Sequence, residues 1–518
     1  MSAKPMTHRQ IMEALSGLLL VLFVAMASST IVSTALPTII GALDGSQTQY
    51  TWVVTASLLT ATASTPIWGK LADLFSKKLL VQISIVVFVL GSMVAGLAQT
   101  APQLIAARAF QGLGMGGVQA LVQVAIAAMI PPRERGRYNG YLGGVMAVAT
   151  VGGPLLGGVI VDTAWLGWRW CFYIGVPIAI IALVVLQKTL NLAVIRRSSV
   201  KIDYWGASLI AAGVSTLLIW VSFVDSSFAW LSWETYAMVG AGLLLIAAAI
   251  WVESRVAEPV VPLEIVKKRG TALAIIASLS VGMAMFGGAV FLGQYFQIGR
   301  GYSPTQAGLL TIPLMAGVLV SSTIAGRIIS RTGKIKPYIV AGTVTLVVGF
   351  AGLSTLDHTT PLWYVGIAMA LVGIGVGMSM QNLVLSVQNT VALKDIGAAS
   401  STVAFFRSLG GTIGVSVLGA VLAHRVTANL GGGASSSGSS SLNISALPEA
   451  TQHVVRAAYG DATGHIFLIS AVIAVIGVVA ALFMKPTALR STVDLAEAAN
   501  STPSAEDEAQ IPAEALAR

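Results

Sequence analysis

The sequence predicts an all-α membrane protein with about fourteen transmembrane helices, and three observations carry that prediction. Only 10% of its 518 residues are charged and 55% are hydrophobic, giving a mean hydropathy of +0.83. A soluble surface needs about 25% charged residues, so lipid must be the main solvent. Apolar stretches of the length a bilayer demands, roughly 20 residues for a hydrocarbon core about 30 Å thick, recur along the whole chain. Basic residues gather in every second loop between those stretches, the pattern that orients membrane proteins. The 54 glycines suit helices packed closely in lipid.

The first stretch, near 17–40, follows Lys4 and Arg9. It is too long for the cleaved core of a signal peptide and is read as the first transmembrane helix. Five more lie near 50–72, 79–98, 102–129, 138–161 and 170–188, then two near 206–224 and 235–252. Six follow near 271–296, 306–330, 337–356, 361–386, 398–424 and 464–485. An even total places both termini on one side.

One alternating set of loops holds Lys70, Lys77 and Lys78; Arg133, Arg135 and Arg137; Lys188, Arg196, Arg197 and Lys201; and Arg255, Lys267, Lys268 and Arg269. It continues with Arg327, Arg331, Lys334, Lys336 and Lys394, and both tails add more. The opposite set has only Arg169, Arg300, Arg425 and Arg456. The first set and both termini are therefore expected in the cytoplasm. The net charge of +9 follows from this topology and does not point to nucleic acid.

The expected organisation is a cytoplasmic segment 1–16, a six-helix half 17–188, a linker 189–269 with two inserted helices, a six-helix half 270–485 and a disordered tail 486–518. Within the second half, 426–463 contains Gly431 to Gly433 and Ser435 to Ser441 and is expected to be an outer loop with little structure of its own. The stretch Gly69-Lys-Leu-Ala-Asp73-Leu-Phe-Ser-Lys77-Lys78 returns as Gly326-Arg-Ile-Ile-Ser-Arg331-Thr-Gly333-Lys334. If the two helices of 189–269 are an insertion, these are the same loop in two related halves. Repeats of this kind place a site near the midplane between halves that rock.

Three motifs carry chemistry. In the first loop, glycines permit two helix ends to approach, and Asp73 can accept from backbone N–H groups or pair with cations. Arg108, in Arg108-Ala-Phe-Gln111-Gly112-Leu-Gly114, lies well inside a span. An arginine there costs about 2.5–3.5 kcal/mol on insertion scales, so it needs a partner or a polar path. Arg407 is the second arginine at such depth. Gly152-Gly153-Pro154-Leu-Leu-Gly157-Gly158 sets small residues one turn apart, with a proline to bend the helix. Further stretches are Ser29-Thr30-Ile31-Val32, Ala35-Leu36-Pro37, Trp168-Arg169-Trp170 with Phe172 and Pro177, and Ser400-Ser401, Phe405-Phe406-Arg407, Gly410-Gly411 and Gly414.

From about Leu18 to Lys485 these motifs resemble, in order and spacing, the drug:proton antiporter branch of the major facilitator superfamily, in its fourteen-helix subgroup. The resemblance implies a major facilitator fold, two six-helix halves with two inserted helices, in a bacterial inner membrane. It implies secondary export of lipophilic drugs or dyes driven by proton entry, and a monomer as the default. It makes Gly69, Asp73, Lys77, Lys78, Gly326, Arg331 and Gly333 a cytoplasmic gate. Gly153, Pro154, Gly157 and Gly158 become an exporter signature, and Arg108 a residue of proton coupling or conformational exchange.

The sequence departs from the family at four positions: Ser76 replaces a glycine, Ala149 replaces the glycine that usually leads the Gly152 to Gly158 motif, and Ser28 and Ala128 replace two common acids. A buried carboxylate ordinarily carries the proton and attracts a cation, so weak selectivity for cations is expected. Coupling would fall to Arg108 and Arg407 together with end-of-helix acids, Asp162 or Asp225. Ser28, Trp52, Gln111, Gln119, Gln294 and Gln381, with Gln123, Met378, Met380 and Asn382, are candidates for an amphiphilic cavity, because aromatic and methionine side chains adapt to varied ligands and amides orient them.

Enzyme chemistry is not indicated. The five histidines are scattered, no phosphate-cradling GxxxxGK[ST] loop is present, and Cys171 is the single cysteine, so no metal or cofactor is expected. Expected partners are a small lipophilic substrate, protons and membrane lipids. Two alternatives remain: a dedicated exporter of one metabolite, lipid or antibiotic, and a non-transporting receptor or scaffold, against which the lack of a sizeable cytoplasmic domain argues.

Overall fold

A backbone surrounded by hydrocarbon must satisfy its own hydrogen bonds, and a long apolar segment does so as a helix. The computed structural model describes residues 8–44, 47–163, 165–190, 203–224, 228–256, 263–302, 304–392, 395–430, 449–487 and 489, and each of the fourteen apolar stretches falls on helix there. In chain order these are α1 (His8–Ala42), α2 (Gln47–Leu74), α3 (Lys77–Leu97), α4 (Ala101–Met129), α5 (Pro132–Asp162), α6 (Trp170–Tyr173) and α7 (Gly175–Thr189). The inserted pair is α8 (Tyr204–Phe223) and α9 (Trp233–Glu253). Then follow α10 (Leu263–Lys267), α11 (Arg269–Gln294), α12 (Pro304–Leu310), α13 (Ile312–Thr332), α14 (Lys336–Leu353), α15 (Leu362–Gln388), α16 (Ile396–Leu430) and α17 (Glu449–Phe483). Ten helices among the described residues are long and apolar enough to cross a membrane by length and composition, and two further apolar ones, Trp205–Trp220 and Arg269–Met283, are shorter.

One boundary differs from expectation. Residues 426–463 are expected to be loop, yet α16 runs to Leu430 and α17 begins at Glu449. The first turns of α17 carry Gln452, His453 and Arg456, polar residues that a hydropathy reading discards although they sustain a helix. The Gly/Ser run itself lies outside the described residues, as do the tail beyond 489 and residues 1–7 of the N-terminal segment.

Local chemistry sets the helix ends. The Ser76 hydroxyl accepts from the Leu79 N–H and starts α3, Asp203 caps α8 through the Gly206 N–H, and Ser232 caps α9 through the Thr235 N–H. At the matching place in the repeat, α13 ends on Gly333 with φ +68°, a left-handed turn that glycine adopts without strain. The first copy of the loop therefore turns on a capping serine and the second on a glycine.

The helices pack in a repeated scheme. α4 packs against α2 and α3, as α15 packs against α13 and α14; α1 packs against α5, as α11 packs against α16. Two seams then join the halves, α2 to α16 and α5 to α13. Burial sorts centre from rim: 78% of the apolar window of α4 is buried against 17% for α9, which therefore faces lipid on most sides.

Candidate functional site

The site grows from polar residues that an apolar bundle must accommodate. On α4, Arg108 is 3% exposed and donates from Nη2 to Ser57 Oγ (2.8 Å), from Nε to the Val53 carbonyl (3.4 Å) and from Nη1 to Gln111 Oε1. The Gln111 amide donates in turn to Ser92 Oγ (2.6 Å) and Ser28 Oγ (3.5 Å). Neutral partners on α1, α2, α3 and α4 thus hold the guanidinium inside the first half. The serine that replaces the family acid is a member of this cluster.

Arg407 on α16 is 7% exposed, and its Nη1 has no hydrogen-bond partner among the described residues. The neighbouring Gly282 of α11 packs on its backbone: a methyl there would lie 2.0 Å from the Arg407 carbonyl oxygen.

The loop motif joins the two halves. Asp73, buried at the end of α2, accepts from the backbone N–H of Gly397 (2.8 Å) and of Ala398 (2.7 Å) at the start of α16. A helix N-terminus exposes unpaired N–H groups and a positive dipole end, so a carboxylate belongs there. The backbones close tightly around it: a methyl on Gly397 would lie 2.3 Å from the Gly69 carbonyl oxygen, and one on Gly69 would lie 1.9 Å from Ser401 Oγ. Lys77 is buried one turn after Asp73, whereas Lys78 donates to the Gln187 carbonyl (2.6 Å) within its own half. In the second copy of the motif Gly326 is buried, Gly333 caps α13, and Arg331 is exposed beside a groove.

Two more bonds cross between the halves on the same basic face. Arg135 at the start of α5 is 2% exposed and donates to the carbonyls of Ile130 (2.7 Å) and Ala127 (2.6 Å) and to Gln388 Oε1 on α15 (2.6 Å). Gln388 passes the link on to Ser400 Oγ (2.8 Å). Higher in the bundle, the Gln123 amide donates to Gln381 Oε1 (2.9 Å). In the sequence Arg135 is one of the loop charges that set topology. The usable signal was its position three residues into a helix that opens Pro-Arg-Glu-Arg.

The glycine motif of α5 packs on α1. A methyl on Gly153 would lie 1.8 Å from Thr30 Oγ1, and one on Gly157 would lie 2.8 Å from the Ile31 carbonyl oxygen, while Thr30 Oγ1 donates to the Ala149 carbonyl (3.1 Å). Pro154 and Gly158 share this helix.

Ser28, Gln111 and Gln381 therefore sit in buried polar contacts, and Trp52 is half-buried on α2 beside Val53. Gln119 lies half-buried on α4, and Gln294 lies at the far end of α11, toward the opposite face. Of the two candidate coupling acids, Asp225 and the Asp162 side chain lie outside the described residues. Asp357, in the loop before α15, is held at about pKa 2 by hydrogen bonds from Thr359 and Thr360. It stays ionised at neutral pH. Among the described residues no group of His, Cys, Asp or Glu comes together that could hold a metal.

Two repeated helical bundles meet on one basic face, with a polar cluster buried inside the first half, the organisation expected of a membrane transporter. The Major Facilitator Superfamily profile matches residues 18–415. An uncharacterised MFS-type transporter of Mycobacterium tuberculosis is 35% identical over 480 residues, covering 92% of this chain and 69% of that protein. The multidrug transporter protein MdtP of Bacillus subtilis is 33% identical over 411 residues, covering 79% and 75%. The solved structure of the proton:xylose symporter XylE superposes with a TM-score of 0.61 at 14% identity, covering 94% of this chain and 99% of that one, a likeness of fold alone. The chain belongs to the major facilitator superfamily and is a transporter, not an enzyme.

Proposed function

We propose that this chain exports lipophilic drugs or dyes across the plasma membrane of a bacterial cell by alternating access, coupled to proton entry. The observation that carries the reading is the Asp73 carboxylate seated on the N-terminus of α16. A bond of this kind between halves closes one face, and alternating access requires that face to open in the other state. The basic face is the cytoplasmic one, with both termini there and about fourteen crossings between them. Kinship with a protein named as a multidrug transporter supports export.

Neutral partners around Arg108 favour uncharged or weakly charged lipophiles over strong cations. In this reading Arg108 and Arg407 couple proton movement to the exchange of states, with Asp162 or Asp225 as proton carrier. Gln111, Gln381 and their neighbours orient the substrate, and the protein works as a monomer. A dedicated exporter of one compound is the second reading, to which the same neutral cluster is equally suited.

The test is efflux of ethidium and of a neutral lipophilic dye from energised cells, with and without a protonophore, for wild type and Arg108→Ala. Protonophore-sensitive efflux that is lost in the variant is the expected result. Well-expressed wild type that moves neither dye would sink the broad reading and leave the dedicated exporter.

A further inference from the structure

The two seams differ in what covers them. Against the seam of α2 and α16 lies the inserted helix α8, whose Val214 and Leu218 pack with Phe405, Phe406 and Leu59. At the seam of α5 and α13 a groove of about 910 Å³ opens instead, on the basic half of the molecule. Gly140 and Gly144 of α5 line it beside α13, together with residues of α1.

The groove is divided by polarity. Toward the middle of the bundle its wall is Phe23, Val145, Val148 and Leu319, with Val148 60% exposed. Toward the end of α13 its rim is Thr323, Arg327 and Arg331. The two arginines are four residues apart and so share one face of α13, and both are exposed. Apolar wall and guanidinium rim together fit an amphiphile with an anionic head. Arginine pairs with phosphate through two parallel N–H bonds, and basic side chains at this depth meet the headgroups of anionic lipids.

The repeat adds an independent reason. The place taken by Asp73 in the first copy is taken by Ser330 in the second, and Ser330 lines this groove while donating to the Gly326 carbonyl. Among the described residues, no carboxylate lines the groove. At one seam a carboxylate is seated between the halves, and at the other two exposed arginines rim the groove.

We propose that this groove binds an anionic phospholipid of the leaflet on the basic side, with its phosphate on Arg327 and Arg331 and an acyl chain along Val145, Val148 and Leu319. The lipid touches α1 and α5 of one half and α13 of the other. It therefore stabilises the state in which the halves meet on this face, because that state alone brings both walls together.

The experiment is native mass spectrometry of the purified full chain titrated with phosphatidylglycerol or phosphatidylcholine, with melting temperature recorded in parallel. Wild type is expected to keep phosphatidylglycerol in preference to phosphatidylcholine and to melt higher with it. Arg327→Gln/Arg331→Gln should bind it roughly ten- to thirtyfold more weakly, about what two interfacial arginines contribute. Lys267→Gln/Lys268→Gln, which removes two charges of the same face outside the groove, should bind as wild type does. Val148→Trp keeps the arginines but fills the wall and should also lose the lipid. The melting temperature of each variant in lipid-free detergent separates lost binding from lost folding. Equal retention by wild type and the arginine variant, no preference over phosphatidylcholine, or full displacement by inorganic phosphate alone would each overturn the proposal. None of these readouts depends on transport, so they stand apart from the drug-export reading.

Discussion

At the seam of α2 and α16 a carboxylate joins the halves: Asp73 takes two backbone N–H groups of the other half, glycines bring the backbones together, and α8 covers the outside. At the seam of α5 and α13 the repeat puts Ser330 in the acid's place, the contact between Gly140 and Thr323 and between Gly143 and Ser322 is close, and a basic-rimmed groove lies open at the side. Both seams use small residues for proximity, but among the described residues the first seats a carboxylate on a helix N-terminus while the second carries arginines along its side. In the proposed alternating-access cycle this face opens and recloses, so a joint of moderate strength serves better than two permanent ones. The asymmetry suggests that the first seam holds the face closed and the second adjusts how firmly.

The largest test removes the carboxylate. Asp73→Asn keeps the size of the side chain but has one acceptor oxygen for two N–H groups, so one buried N–H is left unpaired at a cost of roughly 2–3 kcal/mol. Closure on the basic face should weaken by some thirty- to hundredfold, since about 1.4 kcal/mol is a factor of ten. The measure is labelling of a Thr402→Cys reporter, in a Cys171→Ser background, by an aqueous thiol reagent from the basic side. Labelling no faster than in the parent would remove Asp73 from the joint.

A smaller effect is expected from geometry alone. Gly397→Ala places a methyl 2.3 Å from the Gly69 carbonyl oxygen and 2.5 Å from Asp73 Oδ1. Overpacking of this kind costs about 1–3 kcal/mol, so reporter labelling should rise roughly tenfold. Gly152→Ala, where a methyl meets nothing within 4 Å, is the control and should behave as the parent.

Next comes Arg135, whose guanidinium holds the end of α4 and reaches Gln388 in the other half. Arg135→Gln can keep at most part of this set. About 1 kcal/mol of lost closure is a factor of about five. Because the other two bonds lie within one half, the melting temperature should fall more than the labelling rate rises. The reverse order would make Arg135 chiefly a joint between the halves.

Much of this was legible in the chain. The apolar stretches mark the helices because hydrocarbon leaves an unpaired backbone no alternative, and the depth of Arg108 follows from counting within its span. Asp73 and Gly69 stand out through the repeat. Their partners do not: Gly397 and Ala398 contribute backbone N–H groups, which look alike at every residue. Arg135 is hidden beside Arg133 and Arg137, since three loop arginines satisfy the topology rule equally well and nothing in that rule marks Arg135 as buried. The start of α17 at Glu449 is missed because its first turns are too polar to register as membrane helix. The groove is a shape left between three helices, and no local pattern encodes it.

The smallest expected effect comes from making the seams alike. Ser330→Asp restores to the second copy the acid that the first one has, on a residue that is half-buried and beside Arg327 and Arg331. Two outcomes compete for the new carboxylate. It can reach toward the start of α5, as Asp73 does toward α16, or fold back onto the arginine one position on or the one a turn before. An exposed pair with arginine is worth only about 0.2–1 kcal/mol, and a cap on a helix N-terminus about 0.5–2 kcal/mol, so the seam contact should prevail by a small margin. Closure on the basic face should then strengthen and dye efflux slow roughly two- to threefold, with labelling of the Thr402→Cys reporter falling by the same factor. If efflux slows while labelling is unchanged, the new acid has been taken by the arginines, and the second seam owes its looseness to those charges and not to the missing carboxylate.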